Sequence, residues 1–279
     1  MIENTETIHP NGERRTTRTH RIARKLIWLF YPKDVRLEGE ENLPKESCII
    51  VGNHAQIHGP VCADFFLPEN EVTWCASEMM DRKLVPEYAY QDFWSGNPAG
   101  IRWVYKILSR VIAPLAEHIL LYARTIPVYR DKRILKTVEM TVQHLQKGDY
   151  VVIFPEDYEP YNNIVHGFQQ GFTSVAVRYY KRTGQRLAFV PMYVCPALKK
   201  LVFGPPVVYD PEEPYRKEQQ RICNALMEEI SELAYCQPRH RVVPYPNVSK
   251  KDYPENIRLA FAHDEMEGSN AHENEKKMG

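Results

Sequence analysis

The sequence predicts an α/β fold in which a mostly parallel central sheet carries helices on both faces. Two observations predict it. The apolar runs at 48–51 (Cys-Ile-Ile-Val) and 151–154 (Val-Val-Ile-Phe) do not alternate with polar residues, which is typical of strands that are buried on both sides. Amphipathic stretches stand between such runs, and strands that alternate with helices form parallel sheets that those helices cover.

In chain order, the patterns predict strands at 35–39, 47–52, 72–76, 126–129, 150–154 and 186–194. They predict helices at 20–31, 60–66, 101–123, 133–146, 168–183 and 215–235. Pro60 suits the first position of its helix, and Gly148 suits the position that follows the end of another. Residues 158–167 are polar and rich in aromatic side chains, so we expect a loop there. The helix at 101–123 has a wide apolar face, which fits burial in the core, the commoner case, or contact with lipid.

With 279 residues, of which 43% are hydrophobic, the chain is long enough for one good-sized core. We expect a disordered tail at 1–19, one globular domain at 20–246 and a flexible polar tail at 247–279, because both ends are polar and lack periodicity. The formal net charge is zero, so the composition gives no indication of nucleic acid as a partner.

The six cysteines form no C-x-x-C pair and show no metal-ligand spacing. We therefore expect reduced thiols, most of them buried, and no metal site. No apolar run approaches the roughly 18 residues that a transmembrane helix needs, and no signal peptide is recognised. Together these features predict a cytoplasmic protein without a transmembrane helix.

The charge is unevenly distributed near the amino-terminal end. Between Arg14 and Arg36 the sequence has eight basic residues and one acidic residue, Asp34. Trp28 and Phe30 lie in the same segment, and a basic helix with such an apolar face can bind an anionic bilayer. Two interpretations fit, and they are compatible: a helix that lies on the inner membrane face, and a helix that packs on the domain with its basic side in solvent.

A histidine lies where the first buried strand is predicted to end. Asn53-His54 follows the strand directly, and Gly59-Pro60 then begins a helix. A side chain on such a strand-to-helix turn can face a cleft. Because imidazole titrates near neutral pH, a histidine in this place suits a general base.

Two further strand ends carry charged residues. The run Phe154-Pro155-Glu156-Asp157 ends a buried strand in two carboxylates, and the run at 126–130 (Ile-Pro-Val-Tyr-Arg) ends in Arg130. A guanidinium group can hold a phosphate through two parallel hydrogen bonds. The three strand ends therefore supply a base, a phosphate-binding cation and an acidic loop.

In this order, the segments resemble the glycerolipid acyltransferase family, which includes the 1-acylglycerol-3-phosphate acyltransferases. That family has Asn-His followed after four residues by Asp, then an apolar run ending in Arg, then Phe-Pro-Glu-Gly, then an apolar strand that contains a proline. The matching segments here are Asn53-His54, 126–130, 154–157 and 189–192 (Phe-Val-Pro-Met), with 39–44 as the lead-in and 168–171 after the third motif. The resemblance covers about residues 35–210.

The resemblance implies a glycerol-3-phosphate acyltransferase-like fold and an enzyme that needs no metal and no cofactor. Such an enzyme would move a fatty acyl group from acyl-CoA or acyl-carrier protein to a hydroxyl of a lysophospholipid or glycerophosphate-type acceptor. His54 would be the catalytic base, Arg130 would bind the phosphate of the acceptor, and Glu156 would shape the acceptor site. The other residues of the motifs that we expect to contact substrate are Asn53, Pro155 and Asp157.

Each of these residues also has a structural interpretation. His54 fits a hydrogen-bonded role at a strand end, Arg130 fits a surface pair with Asp131 or Glu156, and the Glu156 carboxylate fits a helix cap. For the whole chain, the alternative is a non-catalytic lipid- or acyl-binding protein that has kept the fold. An unrelated soluble α/β enzyme receives no support, because the sequence has neither a glycine-rich nucleotide loop nor a G-x-S-x-G turn.

One position departs from the family pattern. The family's aspartate orients the imidazole and stabilises its charged form, but the corresponding residue here is Gly59. Asp64 lies about 140° further around the helix and should point elsewhere, and His58 is a poor substitute for an anion. Asp157 stands where the family has glycine, so it either supplies the missing charge or is incidental. Residues 158–167 also lack the usual Thr-Arg-Ser, which suggests an acceptor other than lysophosphatidate.

Overall fold

The computed structural model describes residues 25, 29, 31–81, 83–87, 103, 104, 107 and 124–258. In this part of the chain, the strands are β1 (Arg36–Glu38), β2 (Ile49–Gly52), β3 (Glu71–Ala76), β4 (Thr125–Val128), β5 (Tyr150–Ile153), β6 (Glu156–Pro160), β7 (His166–Phe168), β8 (Ala188–Cys195), β9 (Lys200–Phe203) and β10 (Val207–Val208). The α-helices are α1 (His58–Phe66), α2 (Ile134–Gln146), α3 (Ser174–Thr183) and α4 (Tyr215–Tyr235).

Most of the strands form one central sheet. Their order is β1-β9-β8-β2-β5-β3-β4, and β10 pairs with β8 outside this path. The five neighbours β8, β2, β5, β3 and β4 are parallel, whereas β9 and β10 run antiparallel to β8. Because parallel strands end at the same edge, the segments that follow β2, β4 and β5 meet at one side of the sheet.

Side chains from both faces of the sheet are buried. In β2, Ile49 and Val51 pack into the larger core cluster together with Leu226 of α4, and Ile50 points into the second cluster beside Cys62 of α1. This alternation, in a strand that is apolar throughout, places helices on both faces. The predicted fold class is therefore confirmed: the domain has a mostly parallel central sheet with helices on both sides.

Helix α4 shows why the spacing of apolar residues predicted the helices. Its inward residues Ile222, Leu226 and Ile230 are fully buried, and their spacing of four residues keeps them on one face. The helix begins and ends where the sequence predicts, at Tyr215 and Tyr235. Helix α2 likewise ends before Gly148, whose φ of +87° is the left-handed conformation that follows many helix ends.

Several expectations need correction or lie beyond what is described. Residues 158–167, expected as a loop, belong to a hairpin in which β6 and β7 pair antiparallel. The Asn162 side chain accepts two backbone N–H groups of its turn, and Glu156 accepts the N–H of His166 at the start of β7. The chain also remains packed past the predicted boundary at 246, since Asn256 is buried and Arg241 pairs with Glu255. The tail at 1–19, nearly all of the helices at 20–31 and 101–123, and residues 259–279 lie outside the described residues.

The six cysteines are unpaired, and four of them are buried, as expected for reduced thiols. Among the helices in the described part of the chain, none combines the length and the apolar character needed to cross a membrane.

Candidate functional site

The turn after β2 holds the imidazole of His54 in a defined orientation. Ala55 and Gln56 adopt left-handed φ angles of +45° and +56°, and this folds the Gln56 carbonyl back onto Nδ1 of His54. A carbonyl oxygen only accepts hydrogen bonds, so Nδ1 is the donor and carries the proton. The lone pair of the neutral ring then lies on Nε2, which is the arrangement that a general base requires.

Asn53 anchors this turn to the sheet. Its side chain is 1% exposed; its Oδ1 accepts the N–H of Val194 at 2.7 Å, and its Nδ2 donates to the Val194 carbonyl at 3.2 Å. Both polar groups are thus engaged with β8. Asn53 therefore fixes the end of β2, from which His54 projects, and its contact with substrate stays a prediction.

Glu156 joins the two neighbouring strand ends. One of its carboxylate oxygens accepts the backbone N–H of His54 at 2.6 Å, and the other accepts the N–H of His166 at 2.9 Å. The side chain is 3% exposed, and this burial raises the pKa of Glu156 to about 7 although the two N–H groups act in the opposite direction. The carboxylate therefore acts as a bridge between the His54 turn and the β6–β7 hairpin, and it caps no helix.

Aromatic rings surround the His54 imidazole. Phe154 and Tyr245 meet it edge to face, with ring centroids 5.5 and 5.6 Å away. Tyr245 also contacts Tyr158 and His166, at 5.5 and 5.9 Å. Tyr158 is 70% exposed, so the cluster runs from the buried strand end to the surface. These rings make an apolar wall beside the imidazole, as a site for an acyl chain would need.

His166 extends this cluster on the hairpin. Its Nδ1 is buried, and no hydrogen-bond partner is described for it. Burial lowers the pKa of His166, although the nearby Asp157 carboxylate opposes this effect. The lowered pKa favours the neutral form of this ring, which lies next to Tyr245.

Arg130 lies at the same edge of the sheet but further along it. It follows β4, which is separated from β2 by β5 and β3, so at about 4.8 Å per strand the two chain segments are about 14 Å apart. Its side chain is exposed. The neighbouring Asp131 carboxylate binds the Arg133 guanidinium through both of its oxygens.

The other residues of the third motif serve the hairpin. Pro155 is buried, and its carbonyl accepts the N–H of Gln169 at 2.9 Å. Asp157 accepts the N–H of Glu159 at 2.9 Å and lies beside Gly167. The contacts of Asp157 are therefore with its own hairpin, and the partner of the His54 Nδ1 is the Gln56 carbonyl.

Gly59 is required by close packing at the start of α1. A Cβ atom there would lie 2.7 Å from the His54 carbonyl oxygen and 2.8 Å from the Phe154 ring. The position that carries aspartate in the family is thus filled by backbone and by an aromatic ring. His58 points away from this place, since its Nδ1 contacts the Tyr31 hydroxyl at 3.0 Å.

Two contributors to the site were not predicted from the sequence. The first is the main chain of Gln56, whose left-handed conformation has no signal in a side chain that usually avoids it. The second is Tyr245, which lies near the carboxyl end of the described chain. Its flanking prolines, Pro244 and Pro246, favour an extended backbone and are the one local sign that the segment has a fixed shape.

Comparison with known proteins identifies the same class of protein as the motifs. The family model described as Acyltransferase matches residues 93–197, a little over a third of the chain. This match confirms the resemblance to acyltransferases and includes the second, third and fourth motifs, at 126–130, 154–157 and 189–192. The segment with Asn53 and His54 precedes the matched region, so the role of His54 rests on its geometry.

The chain also compares as follows with curated proteins and with solved structures. No curated protein matches the chain. Among solved structures, the 1-acyl-sn-glycerophosphate (LPA) acyltransferase PlsC from Thermotoga maritima is similar at 16% identity and a TM-score of 0.41, over 77% of this chain and 78% of that chain.

Proposed function

We propose that this chain is an O-acyltransferase that moves a fatty acyl group from acyl-CoA or acyl-carrier protein to a hydroxyl of a lysophospholipid or glycerophosphate-type acceptor. One observation carries the proposal: the His54 imidazole stands at the carboxyl edge of the parallel sheet with Nδ1 bound to the Gln56 carbonyl, which places the lone pair of the neutral ring on Nε2. Ligand sites of open α/β sheets lie at this edge.

The reaction needs only one proton acceptor. Nε2 of His54 would take the proton of the acceptor hydroxyl while its oxygen attacks the carbonyl carbon of the thioester. The tetrahedral intermediate then collapses, the carbon–sulfur bond breaks, and the thiolate leaves and takes up the proton from the imidazolium. The products are the acyl ester and the free thiol of coenzyme A or of the carrier protein.

Arg130 and the aromatic wall give the two substrates separate places. The distance along the sheet from β2 to β4 leaves room for a phosphorylated acceptor, whose hydroxyl would face His54 while its phosphate meets the Arg130 guanidinium. Phe154 and Tyr245, in contact with the imidazole, would line the acyl side. None of these residues would need a metal ion to hold its substrate.

The direct test is thiol release from an acyl-CoA with a panel of lysophospholipid and glycerophosphate acceptors. Loss of a general base costs roughly 10²–10⁴ in rate, so His54→Ala should nearly abolish acceptor-dependent release. His58→Ala is the matched control, because His58 lies four residues away and faces Tyr31; we expect it to lose much less activity.

Equal thiol release by the wild type and His54→Ala, with every donor and acceptor, would contradict the proposal. The non-catalytic lipid- or acyl-binding protein would then be the better explanation. Binding of a fluorescent acyl-CoA by both proteins, without turnover, would support that alternative.

A further inference from the structure

The position that normally orients the catalytic histidine has no room for an acidic side chain. A Cβ at Gly59 would approach the carbonyl oxygens of His54 and Asn53 to 2.7 and 3.1 Å. These are backbone atoms, which cannot move aside as a flexible side chain can. The helix α1 has thus packed closer to the end of β2 than a carboxylate would allow, and the orienting group must come from elsewhere.

The Gln56 carbonyl lies where it can orient the His54 imidazole. It contacts Nδ1 of His54 only because two successive residues other than glycine, Ala55 and Gln56, adopt left-handed φ angles. Such conformations are unfavourable for side chains with a Cβ and persist where the surroundings enforce them. The contacts of Gln56 therefore show what maintains the orientation.

Those contacts come from the carboxyl-terminal part of the described chain. The Gln56 amide nitrogen donates to the Pro246 carbonyl at 3.4 Å, and the Tyr253 hydroxyl donates to its amide oxygen at 3.3 Å. We call residues 240–256 the closing loop. Its base is tied by the bridge between Arg241 and Glu255 and by the buried side chain of Asn256, which donates to the Ala234 carbonyl at 2.9 Å.

We propose that the main-chain carbonyl of Gln56 takes over the orienting role of the missing aspartate, and that the closing loop maintains it through Tyr253 and Pro246. Gln56 and Tyr253 are positioning residues, since they act through His54. The inference rests on the proposed function for its catalytic meaning. Unlike a carboxylate, the carbonyl fixes the proton on Nδ1 without adding a charge beside the ring.

The test combines the tautomer of His54 with steady-state kinetics. Protein labelled with ¹⁵N-histidine shows by NMR which ring nitrogen of each histidine carries the proton, and His54→Gln assigns the His54 signals. We expect the wild type to carry this proton on Nδ1. A wild-type His54 that is protonated on Nε2, or that exchanges freely between the two forms, would overturn the inference.

Gln56→Val should destroy the arrangement, because a β-branched residue strongly disfavours left-handed φ. We expect loss of the NMR signals that mark Nδ1 of His54 as the protonated nitrogen. We also expect kcat to fall about 10²-fold, as for a misplaced reacting group, with little change in KM. Gln56→Gly also loses both side-chain contacts with the closing loop, but it accepts positive φ, so it should recover only part of the lost rate. Tyr253→Phe, which cannot bind the Gln56 amide, should show a smaller loss of Nδ1 protonation and a smaller fall in kcat.

Lys199→Val is the matched control. Lys199 has a φ of +54° and lies in an exposed turn after β8, so its variant incurs a similar backbone penalty away from His54. It should leave the tautomer and kcat unchanged. If Gln56→Val behaves like Lys199→Val, the inference fails while the proposed function stands. If Gln56→Val removes the Nδ1 signature in a protein without acyl transfer, the proposed function fails and the orienting contact stands.

Discussion

At the scale of single residues, Glu156 has the most unusual environment in the described site. It is a fully enclosed carboxylate that accepts two backbone N–H groups, from His54 and His166. Burial raises the pKa of Glu156 from the ordinary 4.5 to about 7. Between these two pH values the folded protein therefore holds a proton that the unfolded chain has released, so this group's contribution to stability falls as the pH rises.

Glu156→Gln should remove that pH dependence. A shift of this size corresponds to about 3 kcal/mol at ~1.4 kcal/mol per pH unit. We expect the free energy of unfolding of Glu156→Gln to improve relative to the wild type by up to about this amount between pH 4.5 and 7, and to stay parallel outside this range. Chemical denaturation at a series of pH values measures it, with the exposed Glu159→Gln as the control. Parallel curves over the whole range would contradict the assigned burial.

Gly59 offers a test of close packing that is separate from charge. Gly59→Ala adds only a Cβ, which would lie 2.7 Å from the His54 carbonyl oxygen. Overpacking of this kind typically costs 1–3 kcal/mol, so we expect a lower Tm and lower activity. Gly59→Asp should be at least as harmful and should restore no activity. Gly171→Ala is the control, because nothing lies within 4 Å of the corresponding Cβ; it should be close to neutral.

The sequence predicted the neighbourhood of the site residues better than their contacts. His54 and Glu156 follow strands that pair directly, Ile49 with Val151, and the rule that ligands bind at the carboxyl edge of parallel strands was sufficient to bring them together. The hydrogen bonds of Asn53 to Val194, by contrast, span 141 residues of sequence. No local pattern reports a contact that depends on the packing of the whole sheet.

At the scale of elements, strands and helices with a regular period were predictable, and short irregular segments were not. Helix α4 was placed at the correct residues because its buried positions repeat every four residues. The sequence predicts a loop where the hairpin of β6 and β7 lies, because β7 has only three residues and the turn is held by the Asn162 side chain. The closing loop has no periodicity, so its packing through Asn256 could not be predicted.

Element packing also explains why the site extends beyond the matched motifs. The His54 turn contacts the β6–β7 hairpin through Glu156 and the closing loop through Tyr245 and Tyr253. Three segments that are distant in sequence therefore fix one imidazole. A change in any of them is transmitted to His54 by direct contacts, and the closing loop, which no motif includes, is as close to the imidazole as Phe154 is.

At the scale of the whole molecule, the remaining question is how the site meets a lipid substrate. Three apolar residues of the segment predicted as a helix at 101–123 are described, and Trp103, Val104 and Ile107 are 64%, 42% and 53% exposed. Exposed apolar side chains of this kind are available for contact with lipid. The basic segment between Arg14 and Arg36 would add attraction to anionic headgroups, so we propose peripheral binding to an anionic membrane surface.

Neutralising part of the basic segment should weaken this binding. Each basic residue near an anionic surface contributes about 1 kcal/mol, so the triple variant Arg21→Gln/Arg24→Gln/Lys25→Gln should bind anionic vesicles about 10²-fold more weakly in co-sedimentation at low salt. Substitution is preferable to deletion through residue 31, because the Tyr31 hydroxyl contacts His58 and Cys62 and its loss would disturb α1.

The control for this experiment removes equal charge from two helices outside the basic segment. Lys181→Gln/Arg216→Gln/Lys217→Gln changes exposed residues on α3 and α4, so it should leave vesicle binding unchanged. Wild-type binding should fall steeply as salt is raised, since salt screens attraction between exposed charges over about a Debye length. Binding that is equal at low and high salt, or equal in the two triple variants, would show that the basic segment packs on the domain and takes no part in membrane association.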